Sequence, residues 1–431
     1  MGARACHCLP SRDGDQPSKT VTTLPWGQAA ASEPRKNRVI VPENEVEWIA
    51  PPVVNPTRPD EARCEVLGVE PLWGQDKWLG GAASFCGKYV YGVPGKAKRV
   101  LRITCATGEV EQVGPSFKGE FKWLRGAESP VDECMYCMPS NADSVLCINP
   151  KTGDIDTFGG PFKGDWLWHG GNIGIDGMIY AIPANATQVL KINPQTKEVS
   201  QFGGPWTDRQ KWYGGINSTN GCIYGIPQCA TGVLKINPAT QEATVIGDLG
   251  PGGWKWHGGL AAGDGSVIFG VPCNADCVLK IDTKTDTVTT IGHGLKGGRH
   301  RSDDKYKYLG GGIAADGKVY FFPSDAERVL CVDPNTDECR YVGPSFLEGM
   351  NKWQNGFLAR DGCVYAIPQR APGVLKIAPP QRGSGCDAEI SRLYCGEEQL
   401  MKDKYEGGVM GGDGCIYCIP LRAKRVCKIV P

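Results

Sequence analysis

The sequence lacks an excess of charge of either sign, since 47 Lys and Arg residues balance 47 Asp and Glu residues in a chain of 431. Net charge therefore gives no attraction to nucleic acid or to an anionic membrane surface. The sequence also lacks any apolar run near the roughly 18 residues that cross a bilayer, and its first ten residues lack the apolar core of a secretory signal. We therefore expect a cytoplasmic protein with no transmembrane segment and no nucleic-acid partner.

Histidine is sparse, whereas cysteine is frequent without reaching the density of a disulfide scaffold. The 20 cysteines are too few for a scaffold held by disulfides, and the chain has five histidines. In a cytoplasmic protein we expect these thiols to be reduced. Glycine and proline, in contrast, are abundant at 59 and 32 residues. Such an excess without a period would indicate low complexity, but here it recurs at a fixed spacing, which indicates a repeat protein.

A motif that joins an aromatic residue to a following proline recurs eight times. Its prolines, which are separated by 45, 44, 44, 45, 51, 45 and 52 residues, are Pro94, Pro139, Pro183, Pro227, Pro272, Pro323, Pro368 and Pro420. A second aromatic, here called the repeat aromatic, stands 15 or 16 residues before each proline: Trp78, Trp123, Trp168, Trp212, Trp256, Tyr308, Trp353 and Tyr405. The chain therefore contains eight copies of one unit of about 45 residues.

The fourth copy shows the secondary structure of the unit. Its apolar residues come in short β-rich runs with no helical period. These runs predict strands over 211–217, 222–226, 233–237 and 242–247, with a tight hairpin turn at Asn220 and Gly221. Asp-Gly pairs occupy the same turn in most other copies. The unit is therefore predicted to be a four-stranded antiparallel meander.

Eight such units predict an all-β protein, an eight-bladed β-propeller. The eighth copy stops at its third strand, so it needs a fourth strand from elsewhere. Residues 62–68 lie ahead of the first copy at the spacing of a fourth strand, and we predict that they complete the last blade and close the ring. The predicted domains are a flexible N-terminal extension over 1–60 and the propeller over 61–431. We expect a monomeric ring.

Two phrases of the repeat resemble those of known propeller groups. The phrases Gly-x-Ile-Tyr-x-Ile-Pro (221–227) and Val-Leu-Lys-Ile-Asn-Pro-x-Thr (233–240) are similar to repeats of NHL, gluconolactonase-like and virginiamycin B lyase-like propellers. The resemblance covers residues 62–431 and implies the propeller fold. Gluconolactonase-like enzymes hold a divalent cation with carboxylate and Asn ligands, whereas the first strands here mostly carry Gly, Leu or Ala. No catalytic motif of these groups is matched residue by residue.

A lysine precedes the repeat aromatic in seven copies, and Leu167 takes its place in the third. Because the loops that enter strand one and leave strand two share one face of a propeller, these lysines are predicted to surround one mouth of the channel. They are Lys77, Lys122, Lys211, Lys255, Lys307, Lys352 and Lys404. A ring of ammonium groups could attract an anionic ligand. The alternative is that each lysine lays its stem over the adjacent aromatic and keeps its ammonium group in water.

Aromatic and imidazole side chains are further candidates for ligand binding at this face. The repeat aromatics themselves are predicted to be wedges between blades. Trp166, Trp206 and Trp254 precede strand one in three successive blades and would suit a peptide or sugar if they form one patch. His169 and His257 follow the repeat aromatic in blades three and five. We expect no metal there, because a metal needs three or four convergent ligands.

The cysteines are interpreted mainly as small buried residues. Cys134 and Cys137, like Cys415 and Cys418, have the spacing of half a zinc site, but residues three apart in a strand point to opposite faces. The tail and loop cysteines are more plausible reactive thiols, namely Cys6, Cys8, Cys273 and Cys277.

The preferred hypothesis is a non-enzymatic interaction platform. It would bind a protein segment or a small anionic ligand on the face that carries the lysines and tryptophans. One alternative is a propeller hydrolase or lyase, similar to a lactonase, with its site at the channel mouth. Another is a lectin-like glycan binder. The sequence indicates no catalytic residue and no cofactor, and fold alone does not decide between these functions.

Overall fold

The structure is a computed structural model that describes residues 37–40, 53–54, 61–380, 387–396 and 401–431. In these ranges the chain forms 33 β-strands, which are arranged in eight sheets. The described residues contain no α-helix, and so none with the length and apolarity to cross a membrane. The predicted eight-bladed β-propeller is confirmed.

Blades one to four each consist of four consecutive antiparallel strands. Blade one contains β3 (Trp78–Ala83), β4 (Tyr89–Pro94), β5 (Val100–Thr104) and β6 (Val110–Val113). Blade two contains β7 (Trp123–Glu128), β8 (Met135–Pro139), β9 (Val145–Ile148) and β10 (Ile155–Phe158). Blade three contains β11 (Trp168–Ile173), β12 (Ile179–Pro183), β13 (Val189–Ile192) and β14 (Val199–Phe202). Blade four contains β15 (Trp212–Asn217), β16 (Ile223–Pro227), β17 (Val233–Asn237) and β18 (Glu242–Ile246).

Blades five to seven repeat this order, and blade eight has three strands from the end of the chain. Blade five contains β19 (Trp256–Ala262), β20 (Val267–Pro272), β21 (Val278–Asp282) and β22 (Thr287–Ile291). Blade six contains β23 (Tyr308–Ile313), β24 (Val319–Pro323), β25 (Val329–Asp333) and β26 (Glu338–Val342). Blade seven contains β27 (Trp353–Leu358), β28 (Val364–Pro368), β29 (Gly373–Ala378) and β30 (Glu389–Tyr394). Blade eight contains β31 (Tyr405–Met410), β32 (Ile416–Pro420) and β33 (Val426–Val430).

The N-terminal side of the chain closes the ring. The strand β2 (Arg63–Leu67) pairs antiparallel with β33 as the outer strand of blade eight, so the predicted closure is confirmed. A further short strand, β1 (Val53–Val54), pairs parallel with β30 at the edge of blade seven. Residues 37–40 form two isolated bridges, to His293 and to Arg340. The flexibility predicted for residues 1–60 stays a prediction.

The repeat aromatics pack between neighbouring blades, as predicted. Trp123 of blade two lies in one buried cluster with Tyr91 and Val93 of blade one. Trp212 of blade four lies in another with Tyr180 and Ile182 of blade three. Their indole nitrogens are satisfied by backbone carbonyls, as where Trp212 Nε1 donates to the oxygen of residue 232 at 2.9 Å. The hydrophobic core is therefore a ring of wedges between blades.

The recurring Asp-Gly turns join strands one and two and also hold the second strand. In blade three, Asp176 Oδ1 accepts the backbone N–H of Met178 at 3.1 Å, and its Oδ2 accepts the hydroxyl of Tyr180 at 2.7 Å. The glycine that follows has a φ of 76°, in the left-handed region that the turn requires. The turn residues therefore fix the register of each hairpin as well as its reversal.

Candidate functional site

The seven lysines before the repeat aromatics lie inside the ring. Each is between 0% and 5% exposed. Nζ of Lys211, in blade four, donates to three carbonyls: those of Ala184 at 2.9 Å, Ala186 at 2.9 Å and Asp208 at 2.7 Å. The expectation that the ammonium group stays in water is therefore wrong, because each group joins a loop of its own blade or the preceding one. Ligand binding by these lysines stays a prediction.

This lysine geometry recurs around the ring. Nζ of Lys122 donates to the carbonyls of Gly95 and Ala97 in blade one at 2.6 and 2.9 Å. A carbonyl of the preceding blade also accepts from Lys77, Lys255, Lys307 and Lys404, and Lys352 donates to the carbonyl of Gly349. Burial lowers the pKa of Lys122, Lys211 and Lys352 to about 8, so the ammonium form still dominates at pH 7. These lysines act as clamps between loops.

The three loop tryptophans do not share one buried cluster. Trp166 stacks on Phe121 with ring centroids 5.3 Å apart. The backbone of each of these two residues has a positive φ. Trp206 instead packs edge-on against Trp212 at 5.1 Å, within the cluster between blades three and four. Trp254 is half-buried and takes part in neither of these two ring contacts. The patch required for a lectin-like site is thus divided, and glycan binding stays a prediction.

Each blade contributes one buried side chain next to the channel, from the residue that follows the repeat aromatic. We call these eight residues the axial floor: Leu79, Leu124, His169, Tyr213, His257, Leu309, Gln354 and Glu406. All eight are buried. Leu79, Leu124 and Tyr213, from blades one, two and four, belong to a single buried cluster, so side chains from distant parts of the ring meet there.

The histidines of the axial floor stand on either side of one tyrosine. The rings of His169 and Tyr213 have centroids 3.6 Å apart, and those of Tyr213 and His257 are 3.7 Å apart. Burial, followed by the positive charge of Arg125, lowers the pKa of His257 to about 3 and that of His169 well below its ordinary range. Both ring nitrogens of His169 are buried without a hydrogen-bond partner. The stack is therefore neutral at physiological pH.

The neutral histidines predict a loss of stability in acid. Each histidine has a folded pKa below its unfolded value of about 6.5, so the unfolded state binds more protons between those values. Stability is then fully present above pH 6.5 and falls towards pH 3, by up to about 1.4 kcal/mol per pH unit for each histidine. Urea unfolding at pH 7.5, 6 and 5 measures this slope.

The double substitution His169→Gln and His257→Gln should flatten the slope whatever it does to stability at neutral pH. The control is His300→Gln, since His300 lies outside the axial floor and is only partly buried. If the double variant and the wild type lose stability equally between pH 6.5 and 5, then carboxylates rather than these histidines govern the acid response.

The remaining polar residues of the floor come from blades seven and eight. Gln354 Nε2 donates to Glu406 Oε1 at 2.8 Å, and both side chains are buried. Glu406 also lines the cavity described next, together with His257 and Tyr213. Three residues of the floor are therefore leucines, and the other five carry hydrogen-bonding groups.

An axial cavity of about 390 Å³ lies above this floor and is bordered by strand one of the blades. Much of its wall is backbone, because each strand one bulges after the repeat aromatic. In every blade except blade six, the second residue after that aromatic takes a positive φ. Glycine fills this position in most blades, for example Gly214 and Gly258, where an added Cβ would meet nothing within 4 Å. The paired glycines of the sequence thus keep the cavity open.

Two blades break this glycine rule. Arg125 of blade two and Asn355 of blade seven occupy the same bulge position with φ of 57° and 55°. Asparagine tolerates this conformation, but for arginine it costs roughly 1 kcal/mol or more. The stem of Arg125 lies over the glycines of the adjacent blades, where an added Cβ on Gly80 would come within 3.3 Å of its Cγ. Arg125 is thus a positively charged residue whose backbone is strained and whose side chain has space beside the glycines of adjacent blades. This combination indicates a function.

The side chain of Arg125 makes no ion pair and no hydrogen bond with any residue that the structure describes. Its guanidinium is partly exposed to the axial cavity, and its charge contributes to the lowered pKa of both histidines. A guanidinium presents several N–H donors in a fork that fits carboxylate and phosphate groups. The cavity therefore offers one cation that no described residue neutralises.

The sequence analysis missed Arg125, Asn355, Gln354 and Glu406. A signal for the first two was present, since each replaces the first glycine of a pair that recurs after the repeat aromatic. The partnership of Gln354 with Glu406 joins different blades and had no sequence signal.

The described cysteines are free thiols and most are buried. Cys134 and Cys137 lie in different clusters between blades, which confirms that they point to opposite faces of their strand. Cys273 and Cys277 were expected to be reactive, but they are buried and burial raises the pKa of each to about 12. The expectation is wrong because their loop folds against the ring. Cys6 and Cys8 lie outside the described residues.

Comparisons with known proteins agree with the fold. Residues 83–245 match a family described as a repeat of unknown function (DUF6923). A search among curated proteins finds no match for the chain. The structure is similar to that of a streptogramin B lyase, with a TM-score of 0.54 and 11% identity over 86% of this chain and 97% of that one. It is also similar to virginiamycin B lyase from Staphylococcus aureus, with a TM-score of 0.56 and 12% identity over 86% of this chain and all of that one. At such identities the likeness shows the propeller fold alone.

Proposed function

We propose that the protein is a non-enzymatic binding protein whose axial cavity takes a small molecule with a carboxylate or phosphate group. The observation that carries the proposal is Arg125, a cation at the cavity wall without a partner in the described part of the chain. A volume of about 390 Å³ falls in the range of small-molecule sites. The neutral histidines and the amide of Asn355 can orient a ligand without competing for its negative charge.

This proposal moves the anionic ligand from the face of the ring to its axis. The lysines predicted to attract it are buried and donate to carbonyls, whereas Arg125 is partly exposed and lines the axial cavity. Binding of a protein segment on the face that carries the lysines and tryptophans is an alternative. It has less support, because Trp166 and Trp206 pack in different clusters.

A propeller hydrolase or lyase is the second candidate, favoured by the presence of His257 and Glu406 at the cavity. A general base works best when its pKa lies near the working pH. The pKa of His257, about 3, makes its imidazole a weak base at pH 7. Conversion of a bound probe, detected as a product by mass spectrometry, would favour the enzyme over the binding protein.

The test compares the wild type with Arg125→Gly, which restores the glycine of the other blades. Inorganic phosphate, glycerol phosphate, succinate and citrate are titrated by calorimetry at constant ionic strength. We expect at least one probe to bind the wild type, and binding to fall about 10- to 100-fold in the variant, since hydrogen bonds to a charged group contribute roughly 1.5–3 kcal/mol. The variant itself should be equally or more stable, by about 1 kcal/mol, because the strained φ is relieved.

Opposite effects on binding and stability separate a ligand site from a structural arginine. The matched control is Arg209→Gly, which removes an exposed arginine paired with Asp165 on the surface. That variant should bind the probes as the wild type does. The proposal is overturned if no probe binds the wild type, or if Arg125→Gly binds a probe as tightly as the wild type.

A further inference from the structure

Three metal-binding side chains meet at one end of blade five. Asp276 and Cys277 directly precede β21, and His293 follows β22. These two strands pair with Val278 opposite Ile291, so the residues just outside that pair are brought side by side. One ligand atom from each of Asp276, Cys277 and His293 lies within 4.8 Å of the other two.

This group belongs to blade five and not to the repeat. In blade four the same three positions hold Thr231, Gly232 and Asp248, and in blade three they hold Thr187, Gln188 and Gly204. A side chain needed only to complete the propeller would recur at its position in the other blades. The carboxylate recurs at the first position as Asp143 in blade two and Glu327 in blade six, but the thiol and the imidazole join it only in blade five, which indicates a local role.

A hydroxyl group lies beside the imidazole of this group. Thr290 Oγ1 is 3.2 Å from His293 Nε2. Metal-binding histidines typically hydrogen-bond a neighbouring group through the ring nitrogen that does not hold the metal, which fixes the ring. Cys277 is 7% exposed while Asp276 is open to solvent, so an ion could enter from outside and bind a buried sulfur.

The backbone that carries these side chains is held on several sides. The carbonyl of Cys277 accepts the indole N–H of Trp256 at 2.9 Å, and the carbonyl of Asp276 accepts the N–H of Leu295 at 2.9 Å. His293 is fixed by the N-terminal segment, because its N–H donates to Asn37 and its carbonyl accepts from Val39. Because this backbone is held in place, rotation of the three side chains is enough to bring their ligand atoms around one metal ion.

We propose that Asp276, Cys277 and His293 form a Zn²⁺ site. Thiolate, imidazole and carboxylate are the ligands that zinc takes in proteins, and three of them leave a fourth tetrahedral position for water or a small ligand from solvent. Binding deprotonates the thiol and releases that proton to solvent, so affinity rises with pH. The site lies away from the axial cavity and is independent of the function proposed there.

The experiment measures Zn²⁺ binding to the full-length chain after treatment with a chelator. Because Cys6, His7 and Cys8 could add a second site, all proteins carry Cys6→Ser and Cys8→Ser. We expect one Zn²⁺ per chain by calorimetry. Co²⁺ in its place should give the thiolate charge-transfer absorption and the strong visible bands of a tetrahedral site. Cys277→Ser and His293→Asn should each weaken Zn²⁺ binding by at least about 100-fold.

The controls are Cys229→Ser, in the equivalent loop of blade four, and His300→Asn, which is outside the cluster. Both should bind Zn²⁺ as the parent does. Circular dichroism of the metal-free variants shows whether they are folded, and Asp276→Asn, at an exposed position, gives a further variant that should fold. The site is overturned if the parent binds no Zn²⁺, or if the folded Cys277, His293 and Asp276 variants bind it unchanged.

Discussion

Deletion of residues 62–69 is expected to lower the melting temperature of the whole ring by about 10 °C or more. These residues include β2, all five of which pair with β33. Ala62 and Cys64 also pack between blades seven and eight, and Leu67 packs between blades eight and one. Removing them therefore leaves the edge of β33 unpaired. It also removes apolar contacts from two interfaces between blades. Thermal unfolding followed by circular dichroism measures the effect.

A synthetic peptide of residues 61–69 provides the decisive control. Added to the deleted protein, it should pair with the free edge of β33 and restore part of the lost melting temperature, as strand addition does elsewhere. A peptide with the same composition in scrambled order should not. If the deletion leaves melting unchanged, or if both peptides act alike, then β2 does not close the ring. Size-exclusion chromatography would show whether the open edge pairs between molecules instead.

The fold was predictable because each blade carries its own turn residues at fixed positions between its strands. In blade four the predicted strands 233–237 and 242–247 agree with β17 and β18 to within one residue. The turns between them are fixed by local chemistry, which a single sequence displays. Closure by residues 62–68 followed from counting strands, since a propeller with 31 strands in sequence order has one edge to fill. The pairing of β1 with blade seven had no such signal.

The candidate site was less predictable because its chemistry lies in departures from the repeat. The lysines were correctly placed near the loops that enter strand one, but sequence spacing does not show that the carbonyls of those loops turn inward. Trp206 was grouped with Trp166 and Trp254, although its position is a repeated one, since Phe117 and Phe162 also stand six residues before their repeat aromatics. Arg125 and Asn355, which replace a repeated glycine, were not singled out.

The two parts of the molecule that depart from the repeat have different physical origins. At the axis, a glycine position accepts an arginine at a cost in backbone strain. At blade five, the pairing of β21 with β22 joins residues 276–277 to residue 293, a meeting that the strand register would have allowed one to predict. In both cases the repeat supplies a rigid frame and single substitutions supply the chemistry.

The substitution Lys211→Met is expected to destabilise the protein by about 3–5 kcal/mol, because three carbonyls between blades three and four lose a charged donor in a buried place. Methionine keeps the length and apolar stem of lysine, so packing is largely preserved. The control Lys284→Met removes an exposed lysine paired with Asp264 on the surface and should cost less than about 1 kcal/mol. Chemical unfolding of both variants at pH 7 gives the comparison. Equal effects at the two positions would mean that the buried lysines do not clamp the blades, and the ring would then depend on its aromatic wedges alone.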